Sequence, residues 1–204
     1  MKLIFASANA GKLREVRQIL SLLEKQYGPL GLEVEPMPAG YDIPETGDSY
    51  AENSLQKAQF IWDRHRGASS CFADDSGLEV EELGGAPGIH TARYCGRNFI
   101  SGMDHLLQEL QERGALAPER RRAAFRCCIT IIVDGTPHSF EGTCTGNISL
   151  CRQGEGGIGY DPVFIPDEGD GRSTMSQMSE EGKNAISHRR KALEGMVKWI
   201  LENR

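Results

Sequence analysis

Apolar and polar positions along this chain follow two periods, one of two residues and one near 3.6, and the changes between them divide it into strands and helices. Leu3 to Ala6 form a short apolar run that predicts a strand, and Ser7 to Gly11 is a turn of small polar residues. From Lys12 onward Leu13, Val16, Leu20 and Leu23 recur at helical spacing, so a helix follows. Gly28 to Gly40 reads as a loop with at most one short strand around Leu32-Glu33-Val34. Ser49 and Glu52 have the spacing of a capping box, which starts a helix near Tyr50. Its predicted apolar stripe is Leu55, Ala58 and Trp62, while Asn53 and Lys57 share another side. Asp104 is expected to cap a helix carrying Leu106, Leu107 and Leu110. Ala123 to Val133 is a long β-rich run, and Asp134-Gly135 signals a hairpin into Ser139 to Leu150, with Phe140, Cys144 and Ile148 facing inward. The terminal helix is predicted to open at Lys183, with a core stripe through Ile186, Leu193, Met196, Val197 and Ile200.

The densest chemistry lies in the middle. Ser70 to Ala73 reads as a buried strand end, directly followed by Asp74 and Asp75. Carboxylates at the carboxyl end of a strand are typical of an α/β site. Gly84 to Gly88 lets the backbone approach a ligand, and Arg93 adds a fixed cation with a planar donor fork. Together they point to a metal and a phosphate. Asp-Asp-Ser-Gly and Gly-Ala-Pro-Gly are also good turn chemistry, and that alternative stands at this level.

Other segments offer paired readings of the same kind. The first turn of the opening helix, with Ser7, Asn9 and Lys12, either holds an anion or is plainly capped with Lys12 in solvent. Lys57 is either a phosphate ligand or a solvated lysine. Gly154 to Pro166 displays Tyr160 and Asp161 before a short strand, and an aromatic ring in an open loop can hold a flat base. His188 and Arg189, off the core stripe, either face solvent or donate to an oxygen of a base or phosphate.

Composition narrows the class. A chain of 204 residues suits one domain, or one domain with two lobes. A net charge of -6 argues against a nucleic-acid polymer as partner, and the isolated run Arg120 to Arg122 reads as a solvated turn. No apolar run approaches a membrane span and the N-terminus lacks a signal-peptide core, so a soluble cytoplasmic protein is expected. The six cysteines, at 71, 95, 127, 128, 144 and 151, lack metal or disulfide spacing and read as reduced, mostly buried thiols. No P-loop and no metalloprotease histidine spacing is present.

Taken in order, five segments resemble the inosine triphosphate pyrophosphatase family, the dITP/XTP pyrophosphatases that remove non-canonical purine nucleotides. They are Ser7-Ala8-Asn9-Ala10-Gly11-Lys12, then Glu45-Thr46-Gly47 with Glu52-Asn53, then Ala73 to Leu78 with Gly84 to Tyr94, then Gly157-Ile158-Gly159-Tyr160-Asp161-Pro162, and finally Lys183 to Arg189. The resemblance spans nearly the whole chain. It implies an α/β fold, a long curved mixed β-sheet with flanking helices forming two lobes around a central cleft, with 1–204 as a single domain and a homodimer as the assembly. It also implies magnesium-dependent hydrolysis of a nucleoside triphosphate between the α and β phosphates. Carried over by position, Asp75 is the general base and a metal ligand, and Glu45 is a further metal ligand. Ser7, Ala8, Asn9, Ala10, Gly11, Lys12, Lys57, Ser76 and Lys183 handle the triphosphate, while Ile158, Gly159, Tyr160 and Asp161 with His188 and Arg189 form the base pocket. Ile158 stands where relatives commonly carry phenylalanine, and Gln177 and Gly182 where they commonly carry acids. The rivals are a Maf-like pyrophosphatase for other modified nucleotides, against which His188-Arg189 argues, and a non-catalytic nucleotide-binding protein, against which Asp74, Asp75 and Glu45 argue.

Overall fold

In the computed structural model, which describes residues 1–94 and 99–203, strand β1 (Lys2–Phe5) runs through a short turn into helix α1 (Ala10–Tyr27). The chain continues through β2 (Glu33–Pro36), α2 (Tyr50–Arg64), β3 (Ser70–Val80), β4 (Pro87–Gly88) and α3 (Phe99–Glu112). It then forms β5 (Arg122–Val133), β6 (Thr136–Ile148), β7 (Phe164–Pro166), α4 (Glu180–Ile186) and α5 (His188–Glu202). The strands bond in the order β2-β1-β3-β5-β6-β7, with β4 on β3. β1 is parallel to β2 and β3, whereas β4 on β3 and β7 on β6 are antiparallel, so the sheet is mixed and the fold α/β. The Asp134-Gly135 hairpin forms as expected, with both residues at positive φ, 49° and 79°, as a two-residue turn matched to strand twist requires.

The chain divides into two compact units. In the first (Met1–Asp75, Cys127–Gly142, His188–Arg204), Leu3, Phe5 and Phe72 face Val16, Ile19 and Leu23 of α1 and Leu193, Met196 and Val197 of α5. The residues between them, Ile4, Ala6, Cys71 and Ala73, pack on the opposite side with Ala58 and Ile61 of α2. In the second unit (Ser76–Arg126, Thr143–Ser187), Leu78 and Val80 pack with Met103, Leu106 and Leu110 of α3 and with Phe125, Tyr160 and Phe164. Among the described residues, no helix is long and apolar enough to cross a membrane.

Several expectations are corrected. β3 does not end at Ala73, nor does the chain turn at Asp74; the strand runs eleven residues because Leu78 and Val80 continue its buried alternation. On α2, Leu55 points outward at 38% exposure, and the buried face is Asn53, Ser54, Lys57, Ala58 and Ile61. Its polar members go inward because each finds a partner there, Ser54 bonding Thr130 at 2.7 Å and Asn53 and Lys57 bonding Asp75. Asp104 is no cap: α3 begins at Phe99, where Met103 extends its inward face, and Asp104 pairs with Arg152 at 3.2 Å. Lys183 lies in α4, not α5, because Ser187 is extended (ψ 154°) and separates the two helices. Arg120 to Arg122 is a turn into β5 in which only Arg120 is exposed. Arg121 is buried and donates to the carbonyls of Ala115, Ile148 and Ser149, while Arg120 pairs with Glu82 and Arg122 with Asp167. Cys71, Cys127, Cys128 and Cys144 are buried free thiols and Cys151 is exposed; Cys95 lies outside the described residues.

Candidate active site

Successive side chains of a strand point to opposite faces, and this decides the fate of the two adjacent carboxylates. Phe72 faces α1 and α5, so Asp74, two residues on, faces them too; Cys71 and Ala73 face α2, so Asp75 does. Their partners follow this division.

Asp74 is buried and holds two cations. Lys12 Nζ donates to Oδ1 at 3.1 Å, and Arg189 donates from Nε and Nη2 to Oδ2 at 3.0 and 2.9 Å. Arg189, 3% exposed, also pairs through Nη1 with Glu15 of α1. Burial alone would push the Asp74 carboxyl up, but Lys12 and Arg189 outweigh it and hold the group well below the usual carboxylate range. Burial likewise opposes the charge on Arg189, and Glu15 and Asp74 override it. Asp74 is therefore ionised and fully engaged in ordering cations.

Asp75 is set in different company. Lys57 Nζ donates to its Oδ1 at 2.8 Å, and Asn53 Nδ2 to its Oδ2 at 3.2 Å. The same ammonium bonds Glu45 Oε1 at 2.7 Å. Burial raises Asp75 above its ordinary value, against the opposing pull of Lys57. For Lys57, burial opposes the charge, but Asp75, Asp74 and Glu45 together keep it protonated beyond its ordinary value. The loop bearing Glu45 is pinned to α2: Thr46 N donates to Gln56 Oε1 at 3.0 Å, and Gly47 N to Asn53 Oδ1 at 2.9 Å. Asn53 thus ties the Glu45 loop to Asp75 with one amide.

Two carboxylates on one ammonium are a donor set of hard oxygens. Among the described residues, no group of three acidic, histidine or cysteine side chains converges as a full protein cage. Glu45 and Asp75 would themselves supply two hard carboxylate ligands to a divalent cation, and water and substrate phosphates would complete its shell.

In the second unit, Lys183 of α4 pairs with Asp161 at 2.6 Å, and Asp161 Oδ2 accepts from Ile158 N at 2.6 Å. Gly157, at φ 90°, makes room: a β-carbon there would collide with the Asp161 carboxylate. Tyr160 is not displayed. At 1% exposure it packs edge-on against Phe99, with Gly102 of α3 leaving the space for its hydroxyl end, so its ring is no stacking surface. Ile158 is half-buried beside it in sequence. Gln177 closes a capping box with Thr174, whose N–H it accepts at 3.0 Å, and Gly182 N donates to the cap Ser179. Gly84 to Gly88 folds back on β3 as a tight hairpin, and Arg93 is exposed.

At the N-terminal turn, the capping reading holds: Asn9 caps α1 through Lys12 N, and Ser7 Oγ accepts from Asn9 N at 3.2 Å. Ala8 and Ala10 are exposed and Gly11 half-buried, but Lys12 is not in solvent, since Asp74 takes it. His188 opens α5 and, like Arg189, is buried and does not face solvent. Three positions escaped the sequence reading. Glu15 had a local signal, an acid between core residues of α1. Asn53 shares a side of α2 with Lys57 by helical period, which by itself assigns it no role. Gly142 of β6 had no signal: a β-carbon there would collide with the His188 carbonyl, so it admits the start of α5.

The chain matches the Ham1 family over residues 3–199. A dITP/XTP pyrophosphatase of Porphyromonas gingivalis is 44% identical over 200 residues, 98% of this chain and 97% of that protein. Another, of Geobacillus kaustophilus, is 40% identical over 199 residues, 94% of this chain and 90% of that one. The solved structure of the Staphylococcus aureus Ham1 protein is similar with a TM-score of 0.81 at 32% identity, covering 100% of both chains.

Proposed function

Because this chain belongs to the Ham1 family, we propose that it is a dITP/XTP pyrophosphatase, hydrolysing non-canonical purine nucleoside triphosphates to monophosphate and pyrophosphate with magnesium. The observation that carries the reading is Asp75: a buried carboxylate, raised above its ordinary value, with Glu45 on the same ammonium. Such a group is a better base near neutral pH than an ordinary aspartate.

Asp75 takes the proton of the attacking water as its oxygen bonds the α-phosphorus. The bond from that phosphorus to the α,β-bridging oxygen breaks, and pyrophosphate leaves. Magnesium, when bound by Glu45 and Asp75, supplies neutralisation of the leaving group's charge. The amides and side chains of Ser7 to Lys12 with Lys57, Ser76 and Lys183 grip the triphosphate. Ile158 gives the base an apolar face, Tyr160 and Asp161 support that loop from within, and His188 and Arg189 donate to the six-oxygen of inosine or xanthosine, which adenine lacks. Residues 1–204 act as one catalytic domain, and the working assembly is a homodimer in the cytoplasm.

Pyrophosphate release with magnesium, measured across ITP, dITP, XTP, GTP, ATP and a modified pyrimidine triphosphate, tests this. Turnover concentrated on ITP, dITP and XTP is expected. A preference for the pyrimidine would favour the Maf-like alternative, and binding without release would make the protein a sensor.

A further inference from the structure

The Lys57 ammonium is buried, 6% exposed, and bonds one oxygen of each carboxylate that the proposed function assigns to the metal. Among the described residues these two bonds are its only ones, so of three donors one is unspent. Asn53 holds the other Asp75 oxygen, so a cation on Asp75 shares that small carboxylate with the lysine.

Resting on that ligand assignment, we infer that Lys57 couples metal binding to triphosphate binding by competing with the cation for Glu45 and Asp75. A dication beside an ammonium on shared oxygens is strongly disfavoured by like charge in a poorly solvated site. Lys57 must therefore give up at least one carboxylate for the metal to be held. The move costs little only when another anion receives the ammonium, and the triphosphate that arrives with the metal is that anion. The lysine thus keeps the two acids neutralised between turnovers, weakens binding of the metal alone, and passes to the phosphates when a metal–triphosphate complex enters. Metal and nucleotide are then linked beyond their own chelation, and the linkage is reciprocal.

The test is titration of the full chain at pH 8 with Mn2+ alone, followed by electron paramagnetic resonance. Lys57→Met should bind Mn2+ at least about ten-fold more tightly than the unaltered protein, whereas Lys57→Arg, which keeps the charge, should stay near it. The same Lys57→Met protein should bind a non-hydrolysable ITP analogue more weakly. Unchanged or weaker Mn2+ binding in Lys57→Met, with Glu45→Gln and Asp75→Asn both losing it, would overturn the competition while leaving the ligand assignment standing. Mn2+ binding untouched by either carboxylate change would remove the ligand assignment and the inference with it. Should Lys57→Met fail to fold, the unaltered protein suffices: the Lys57 Nζ proton–nitrogen signal must shift when magnesium is added together with a non-hydrolysable ITP analogue, and a signal that does not move overturns the inference.

Discussion

Arg189 donates from Nε and Nη2 to the same oxygen of Asp74, at 3.0 and 2.9 Å, across 115 positions of sequence. Asp75, one residue along the same strand, touches neither Arg189 nor Glu15 but meets Lys57 and Asn53. The pair thus separates into a carboxylate that Lys12 and Arg189 hold and one that Lys57 and Asn53 hold, the second being the proposed base.

Asp74→Asn removes the charge that balances Lys12 and Arg189 in a buried setting. A loss of about 3–5 kcal/mol in unfolding free energy is expected, the usual cost of breaking one side of a buried ion pair. Denaturant unfolding checks it, and a loss below about 1 kcal/mol, the level of an exposed pair, would show that the cluster is not structurally important.

Asp75→Asn keeps the size but cannot accept the proton, and its single carbonyl oxygen keeps only one of the bonds from Lys57 and Asn53. Turnover of ITP should fall by about two to four powers of ten with the fold retained. A folded variant with near-normal turnover would assign the base elsewhere.

Arg189→Ala removes a donor proposed to read the six-oxygen, and it also releases Asp74 and Glu15. Activity on ITP should fall and the ITP-to-ATP ratio should narrow. An equal slowing of both substrates would leave Arg189 only its role of holding Asp74.

Gly142→Ala would drive a methyl group into the His188 carbonyl and crowd Ala192 N. The start of α5 must shift, so a destabilisation of about 1–3 kcal/mol is expected, as for overpacking elsewhere. Thermal unfolding measures it, and a variant as stable as the parent would mean that α5 gives way freely.

Arg122 and Asp167 form a two-bond pair at 2.8 Å for each bond. The hydrogen bond from Arg122 holds the Asp167 carboxyl down to about 2. A depressed carboxylate stabilises the fold above its unfolded value, about 3.9, and loses that contribution as pH falls through the folded one. Because the pair is about one-third exposed, solvent screening limits it to about 0.5 kcal/mol. Asp167→Asn should therefore differ from the parent by that amount at pH 7 and converge with it only below about pH 2, by denaturant titration at each pH.

Much of the site was written locally. Asp74 and Asp75 are adjacent in a chain whose β period is two, so once β3 is known to continue past them, their opposite directions follow from strand geometry. The Ser49–Glu52 spacing and the Asp134-Gly135 turn named a helix start and a hairpin, because a cap and a two-residue turn involve only near neighbours. The grouping of Asn53 with Lys57 on one side of α2 was likewise a matter of helical period.

Which side of α2 faces inward was not legible. Leu55 reads as core, and Lys57 as either a phosphate ligand or a solvated lysine, until β3 supplies the Asp75 carboxylate that the lysine reaches inside. Tyr160 reads as displayed in a glycine-rich loop, and Gly102, 58 positions earlier by the numbering, makes the space that buries it. Arg189 lies off the apolar stripe of α5, yet Asp74 and Glu15 draw it inside. The sequence by itself determined periods, turns and the adjacency of the two acids, since these depend on residues within a few bonds of one another. The tertiary structure decided burial and partnership, because the energy of a buried charge depends on which counter-charge a distant segment brings to it.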